Sequence, residues 1–74
     1  AAANEEAQTI GNPIMRLLTE RRLDGLGLEP GAVDGHFDEH TRRAIRRYQR
    51  ARGLPVTGYV TQDTAVRMLA EAVR

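Results

Sequence analysis

The sequence predicts an all-α fold, a small three-helix bundle whose later helices are entered through two glycine-containing turns. Three observations carry that prediction: a loop-to-helix motif that occurs twice, apolar residues at helical spacing after each copy, and a strong helix stop between them. The motif reads Asp34-Gly35-His36-Phe37-Asp38-Glu39-His40-Thr41 and again Thr57-Gly58-Tyr59-Val60-Thr61-Gln62-Asp63-Thr64. In each copy the glycine supplies the positive φ of a tight turn, Phe37 or Val60 points inward, and Asp38 or Thr61 is placed to cap the next helix. Thr41 and Thr64 fall at the third helical position, where a hydroxyl reaches back toward the cap in a weaker form of the capping box.

Taken in order, residues 1–11 have no sustained apolar stripe and end on Gly11, so a linker or disordered segment is expected there, holding no more than a fraying helical turn. The folded domain is expected over residues 12–74. Asn12-Pro13 is a helix start, a capping side chain followed by a residue whose missing N–H is harmless in the first turn. The first predicted helix runs from Pro13 to about Leu26, with Ile14, Met15, Leu17, Leu18, Leu23 and Leu26 as its apolar stripe, Gly25 weakening its last turn, and Gly27, Leu28 and Pro30 ending it. The second spans about Glu39 to Arg52, and Thr41, Ala44, Ile45 and Tyr48 form its inward face. Gly53, Leu54 and Pro55 then give a Schellman-type stop, with Leu54 folding back on Tyr48. The third runs from about Gln62 to Val73, facing Ala65, Met68, Leu69 and Ala72 or Val73 inward.

Seventy-four residues admit one domain and leave little room for a deep catalytic cleft, since a chain of about sixty residues buries only about 60% of its extended surface. The absence of cysteine excludes disulfides, thiolate metal sites and a cysteine nucleophile. No apolar run has the length of a membrane span and no signal-peptide pattern is present, so a soluble chain or a module of a longer protein is expected. All eleven basic residues are arginine, and against ten acids they leave a net charge of +1, which favours no polyanion.

Val33-Asp34-Gly35-His36-Phe37, then Thr41-Arg42-x-Ala44-Ile45, Tyr48-Gln49 and Gly53-Leu54-Pro55-x-Thr57-Gly58, form an ordered set that resembles the peptidoglycan-binding domain found beside bacterial cell-wall hydrolases and other envelope proteins. The resemblance covers roughly residues 13–73. Two positions depart from it: Asp38 stands where the family usually has glycine, which keeps a helix cap, and Thr19-Glu20 stand where the first helix often has leucine-glutamine. The resemblance implies a noncatalytic module of the periplasmic or extracellular bacterial envelope, a monomer that tethers an attached enzyme or envelope protein to peptidoglycan. Its partners would be the stem peptide and glycan, with an attached catalytic domain beside it.

The motif is mostly architectural, so the candidate ligand-binding residues come from what it leaves exposed: His36, Arg42, Arg46, Gln49 and Tyr59. At 100° per residue, Arg43, Arg46 and Arg50 point at solvent while Arg42 and Gln49 fall on a boundary of the buried stripe, where grooves form. Phe37 and Tyr48 are committed inward, which leaves Tyr59 as the aromatic for a sugar or peptide, with His36 as its counterpart in the first turn. With aromatics this scarce, binding would be weak and would read carboxylates and amides of the stem peptide more than the glycan. No metal or other cofactor is expected: His36 and His40 have i, i+4 spacing, but His36 precedes the helix cap and His40 follows it. Asp34 is a turn former, and no nucleophile–base spacing stands out, so no enzyme activity is expected.

Two other readings come from different classes. Six arginines between Arg42 and Arg52 suggest a DNA-binding helix-turn-helix, but Gly53 to Val60 is far longer than that motif's turn, so no nucleic-acid partner is expected. Docking onto a protein partner or a neighbouring domain of the same chain is the alternative kept beside peptidoglycan binding.

Overall fold

The computed structural model describes residues 1–73. Its helices are α1 (Ala2–Ile10), α2 (Pro13–Gly25), α3 (Glu39–Ala51) and α4 (Gln62–Ala72), with no strand among the described residues. The all-α expectation holds at that level, and the three-helix count is corrected to four. The additional helix is α1, in the stretch where the sequence shows no stripe. Its stability is tertiary: Ile10 enters the core, and the Glu5 and Glu6 carboxylates accept hydrogen bonds from the Gln62 and Val60 amides at the start of α4. A nine-residue helix has little stability of its own, so contacts of that range decide whether it forms.

Helix α2 starts as the sequence says. Asn12 Oδ1 accepts from the Met15 amide at 2.8 Å and Pro13 takes the first position. Helix α3 opens with a full capping box: Asp38 Oδ1 accepts from the Thr41 amide at 3.0 Å while the Thr41 hydroxyl accepts from the Asp38 amide at 3.2 Å. Those bonds, the Thr41 amide first, hold the Asp38 carboxyl below its ordinary pKa. The expected twin at α4 does not form. Thr61 stands at the cap but its side chain makes no capping bond; its hydroxyl pairs with that of Thr64, and Glu5 from α1 takes the Gln62 amide, in the first helical position, at 2.6 Å.

Both α2 and α3 end in the same way. The Leu54 amide donates to the Gln49 carbonyl at 2.9 Å and Gly53 to Arg50 at 3.3 Å, the paired bonds of a Schellman motif, and Leu28 to Leu23 with Gly27 to Asp24 repeats them one helix earlier. Gly53 takes the left-handed conformation the motif needs, φ 68°. Leu28 and Leu54 then fold back on the core. The repeat in the sequence is therefore larger than the turn: helix, Schellman stop, glycine turn, helix.

The core is Ile10, Leu23, Ala44, Ile45, Tyr48, Val60 and Met68, with Leu26, Leu28, Phe37, Leu54 and Ala65 packed against it. Helix α3 buries the face its periodicity predicts. The stripes assigned to α2 and α4 are only partly used: α2 buries Thr19, Glu20 and Leu23, whereas Ile14, Met15 and Leu18 are exposed, as are Leu69 of α4 and Val73 just past its end. Helix α2 meets α1 and α3, and among the described residues its outer apolar edge, Ile14, Met15 and Leu18, stays exposed. At the far end of the core, Glu71 ties α4 to α3, accepting from the Tyr48 hydroxyl at 3.0 Å and from Arg52 Nε at 2.8 Å. Arg67 adds a third donor at 3.0 Å. These donors, Arg52 first, hold the Glu71 carboxyl down at about 2, and burial with the neighbouring carboxylate pushes the Tyr48 phenol up to about 12.

Gly35 and Gly58 have φ of 84° and 81°, a region a β-branched side chain avoids. A Cβ on Gly58 would also stand 2.7 Å from Arg46 Nη1, and one on Gly35 3.4 Å from the Pro13 carbonyl oxygen. Gly35→Val and Gly58→Val are each expected to lower the unfolding free energy by about 1 to 3 kcal/mol, measured by urea denaturation. Unchanged midpoints would show that neither turn requires glycine.

Candidate functional site

The two glycine turns are gripped by side chains of the helix that precedes each. In the first, Glu20 Oε1 of α2 accepts from the Gly35 amide at 2.6 Å, and Arg16 Nε donates to the Gly35 carbonyl at 2.8 Å. In the second, Gln49 Oε1 of α3 accepts from the Thr57 and Gly58 amides at 2.9 and 3.0 Å, and Arg42 Nη1 donates to the Gly58 carbonyl at 3.1 Å. Each glycine peptide is thus read on both sides, its N–H by a buried acceptor and its carbonyl by an arginine. Gln49 does more, since its Nε2 donates to the Tyr59 carbonyl at 2.9 Å and reaches the Thr64 hydroxyl at 3.0 Å. Both ends of the amide are occupied.

Glu20 cannot do the same, because an ionised carboxylate has no donor. It is fully buried and its Oε2 has no hydrogen-bond partner among the described residues. Burial pushes its carboxyl pKa up, the Gly35 amide opposes that, and the nearby Asp34 charge adds to it.

Of the five candidate ligand-binding residues, four meet at the second turn. Arg42 is held on several sides. Its guanidinium forms a two-pronged pair with Glu6 of α1, at 2.7 and 3.0 Å, and lies over the Tyr59 ring at 4.2 Å and the Phe37 ring at 5.2 Å. Arg46 passes over Gly58 and donates to Glu39 at 2.7 Å, keeping about a third of its side chain exposed. Tyr59 is half-buried with its ring against Arg42. Gln49 is fully buried and spent on the turn, so its place is beneath the surface; it positions Tyr59 without offering a polar atom outward. His36 is exposed on the first turn, its amide donating to Asp34 Oδ1 at 2.9 Å, and no hydrogen bond or ion pair among the described residues joins it to the other four.

Gln49 is four residues after Ile45 and eight after Thr41, a spacing that puts it on the inner face, and that signal identifies its structural role. Arg16 and Glu20, also four apart, could be found in the same way once both turns are compared. Glu6 carries no such mark. Its partners are Arg42 and Val60, beyond any local pattern.

The residues of both turns, of α3 and of the start of α4 fall inside a match to a protein-family model described as "Putative peptidoglycan binding domain", which spans residues 16–68. The chain belongs to this family. Searches of curated proteins and of solved structures found no match. Helix α1 lies outside the matched residues, and Glu20, Arg42, Gln49, Gly58 and Tyr59 lie within them.

Two further features bound what the surface can do. Among the described residues no group of three or more His, Asp or Glu side chains is placed to hold a metal ion, and no helix is long and apolar enough to cross a membrane. An open apolar groove of about 510 Å³ runs between α2 and α4, lined by Ile10, Met15, Leu18, Val60, Met68 and Leu69.

The two carboxyls shifted in opposite directions give opposite pH dependences. Glu71, with its pKa lowered in the fold, adds stability above the ordinary carboxylate value of 4.5 that is lost as pH falls toward about 2. Glu20, with its pKa raised, adds stability below 4.5 that is lost as pH rises through its folded value. Glu20→Gln is therefore expected to stabilise the protein at pH 7, by on the order of 1 kcal/mol, and to leave it little changed at pH 4. Chemical denaturation at the two pH values measures this, and a loss of stability larger at pH 7 than at pH 4 would show that Glu20 is held as a satisfied carboxylate.

Proposed function

We propose that the protein is a noncatalytic peptidoglycan-binding module of the bacterial cell envelope, periplasmic or extracellular, that holds an attached enzyme or envelope protein at the wall. The observation that carries this reading is the family match over residues 16–68, which takes in every residue that builds the second turn. The geometry supports it by giving that turn an outer face suited to a polar polymer. Arg46 crosses Gly58, the neighbour of Tyr59 in the chain, on a backbone fixed from below by Gln49, and the Arg42 guanidinium stands against the Tyr59 ring. His36 extends the polar surface on the first turn. A monomer suffices for this task. Weak attachment raises the local concentration of wall substrate around a tethered catalytic domain, so affinity need only bias residence.

Docking onto a neighbouring protein domain is the second reading, and the α2–α4 groove favours it. That groove is mostly apolar, with Thr19, Arg21 and Arg22 as its polar lining residues, a composition that suits a protein surface better than a glycan. A pull-down with purified sacculi, run beside a nucleic-acid binding assay in the same salt series, separates the readings. Retention on sacculi without retention on nucleic acid supports the module; no retention by the folded wild type would favour docking.

Within the sacculus assay, Tyr59→Ala and Arg46→Ala are expected to reduce binding severalfold, and Arg43→Ala to leave it unchanged. Arg43 is exposed and reaches Glu39 only at 3.9 Å, whereas Arg46 lies over the turn itself. Arg42→Ala is expected to lower the melting temperature as well as binding, because it leaves Glu6 buried without its charged partner. Equal losses for Arg43→Ala and Arg46→Ala, both abolished by moderate salt, would show diffuse charge attraction in place of a site.

A further inference from the structure

Helix α1 is attached in an unusual way. Only Glu6 and Ile10 of its residues are buried, so little apolar surface holds it, and its closest polar contacts are made by two adjacent carboxylates. Glu6 grips Arg42 with both oxygens, and its Oε1 also accepts from the Val60 amide at 2.7 Å. Glu5 Oε2 accepts from the Gln62 amide at 2.6 Å. An arginine fork with a convergent backbone amide is the arrangement that recognises a peptide carboxylate, and here the protein fills it with its own side chain.

The receptor does not need α1 in order to exist. Arg42 is fixed independently by the Gly58 carbonyl and the Tyr59 ring, and the Thr57–Tyr59 backbone is fixed by Gln49. The Gln62 amide is free of a side-chain cap from its own helix, since Thr61 makes none. All of these groups lie within residues 16–68, the family match, while Glu5 and Glu6 lie outside it.

We propose that Arg42, with the Val60 and Gln62 amides, is a carboxylate-binding site that α1 occupies through Glu6 and Glu5, and that a free peptide carboxylate of the wall polymer competes for it. This rests on the peptidoglycan-binding reading for the identity of the polymer, and on the geometry alone for the site. The ligand class is a peptide ending in a free carboxylate, which would take the place of the Glu6 side chain on Arg42 while Tyr59 flanks it. Binding is then coupled to release of α1. The intramolecular carboxylate lowers apparent affinity by the fraction of molecules in which the site is covered, so removing it raises that affinity without any new contact.

The test is an NMR titration of the full chain with N-acetyl-alanylalanine and, separately, its C-terminal amide. In the wild type the acid is expected to shift the Val60 and Gln62 amides and the Arg42 Nε–H, and to move the resonances of residues 2–10 as α1 is released. The amide is expected to shift none of them. Glu6→Gln is expected to tighten binding of the acid about tenfold, and adding Arg42→Lys, which keeps the charge but loses the fork, to remove the gain. An unchanged Kd in folded Glu6→Gln, or equal binding of acid and amide, would overturn the proposal. Should Glu6→Gln fail to fold, the wild-type titration still decides, because saturation with the acid while α1 resonances stay fixed overturns it. Sacculus binding separates this from the functional reading: wild-type retention with no gain in Glu6→Gln rejects the covered site and leaves the module. A gain for the small acid with no sacculus retention by either protein rejects the wall polymer and leaves the site.

Discussion

The bonds from the Gln49 side chain to the second turn are the constraint on which the rest of the molecule depends. A tight turn pressed against a small core exposes amides and a carbonyl that no helix or sheet ladder can satisfy. Gln49, fully buried on α3, supplies an acceptor to Thr57 and Gly58 and a donor to Tyr59 from one side chain. With that turn fixed, Val60 is driven into the core, Thr64 is tied to α3, and α4 starts where it does. Tyr59 is then held at the surface with its ring against Arg42, which makes a rigid polar face out of a loop.

The first turn solves the same problem with a less suitable residue. Glu20 occupies the place where the family often has glutamine, and it meets the Gly35 amide well, but its second oxygen is stranded in the interior. The molecule therefore contains one satisfied and one half-satisfied version of a single device. The contrast explains why burial raises the Glu20 carboxyl while the well-surrounded Glu71 carboxyl is lowered. Duplication gives the fold its regularity, and the imperfect copy leaves one carboxylate oxygen in the interior without a hydrogen-bond partner among the described residues.

What the sequence made legible was local. The glycines at positive φ, the Asp38 capping box, the Gly53 stop and the inward face of α3 each follow from neighbours within one or two turns, and each is present. Where long-range partners decide, the local pattern points elsewhere: to a linker over residues 1–11, a cap at Thr61 and a ligand contact at Gln49. Helix α1 forms because Glu5, Glu6 and Ile10 reach the far end of the chain, the Thr61 hydroxyl pairs with Thr64 and makes no capping bond, and Gln49 lies beneath the surface because the turn needs it. The apolar stripe of α2 follows from spacing, but a stripe is buried only where another element covers it, and among the described residues none covers Ile14 or Leu18. The candidate site was thus half legible: Arg42, Arg46 and Tyr59 gather at one turn, Gln49 supports them from below, and His36 stands on the other.

Native-state hydrogen exchange at the Gly58 amide tests the central claim most directly. A glycine in an irregular connection ordinarily exchanges through small local openings. If the Gln49 side chain locks this turn into the core, the Gly58 amide will exchange with the same opening free energy as the slowest amides of α3, that is, only when the whole domain unfolds. Exchange at the rate of an exposed loop, with α3 still protected, would contradict the account.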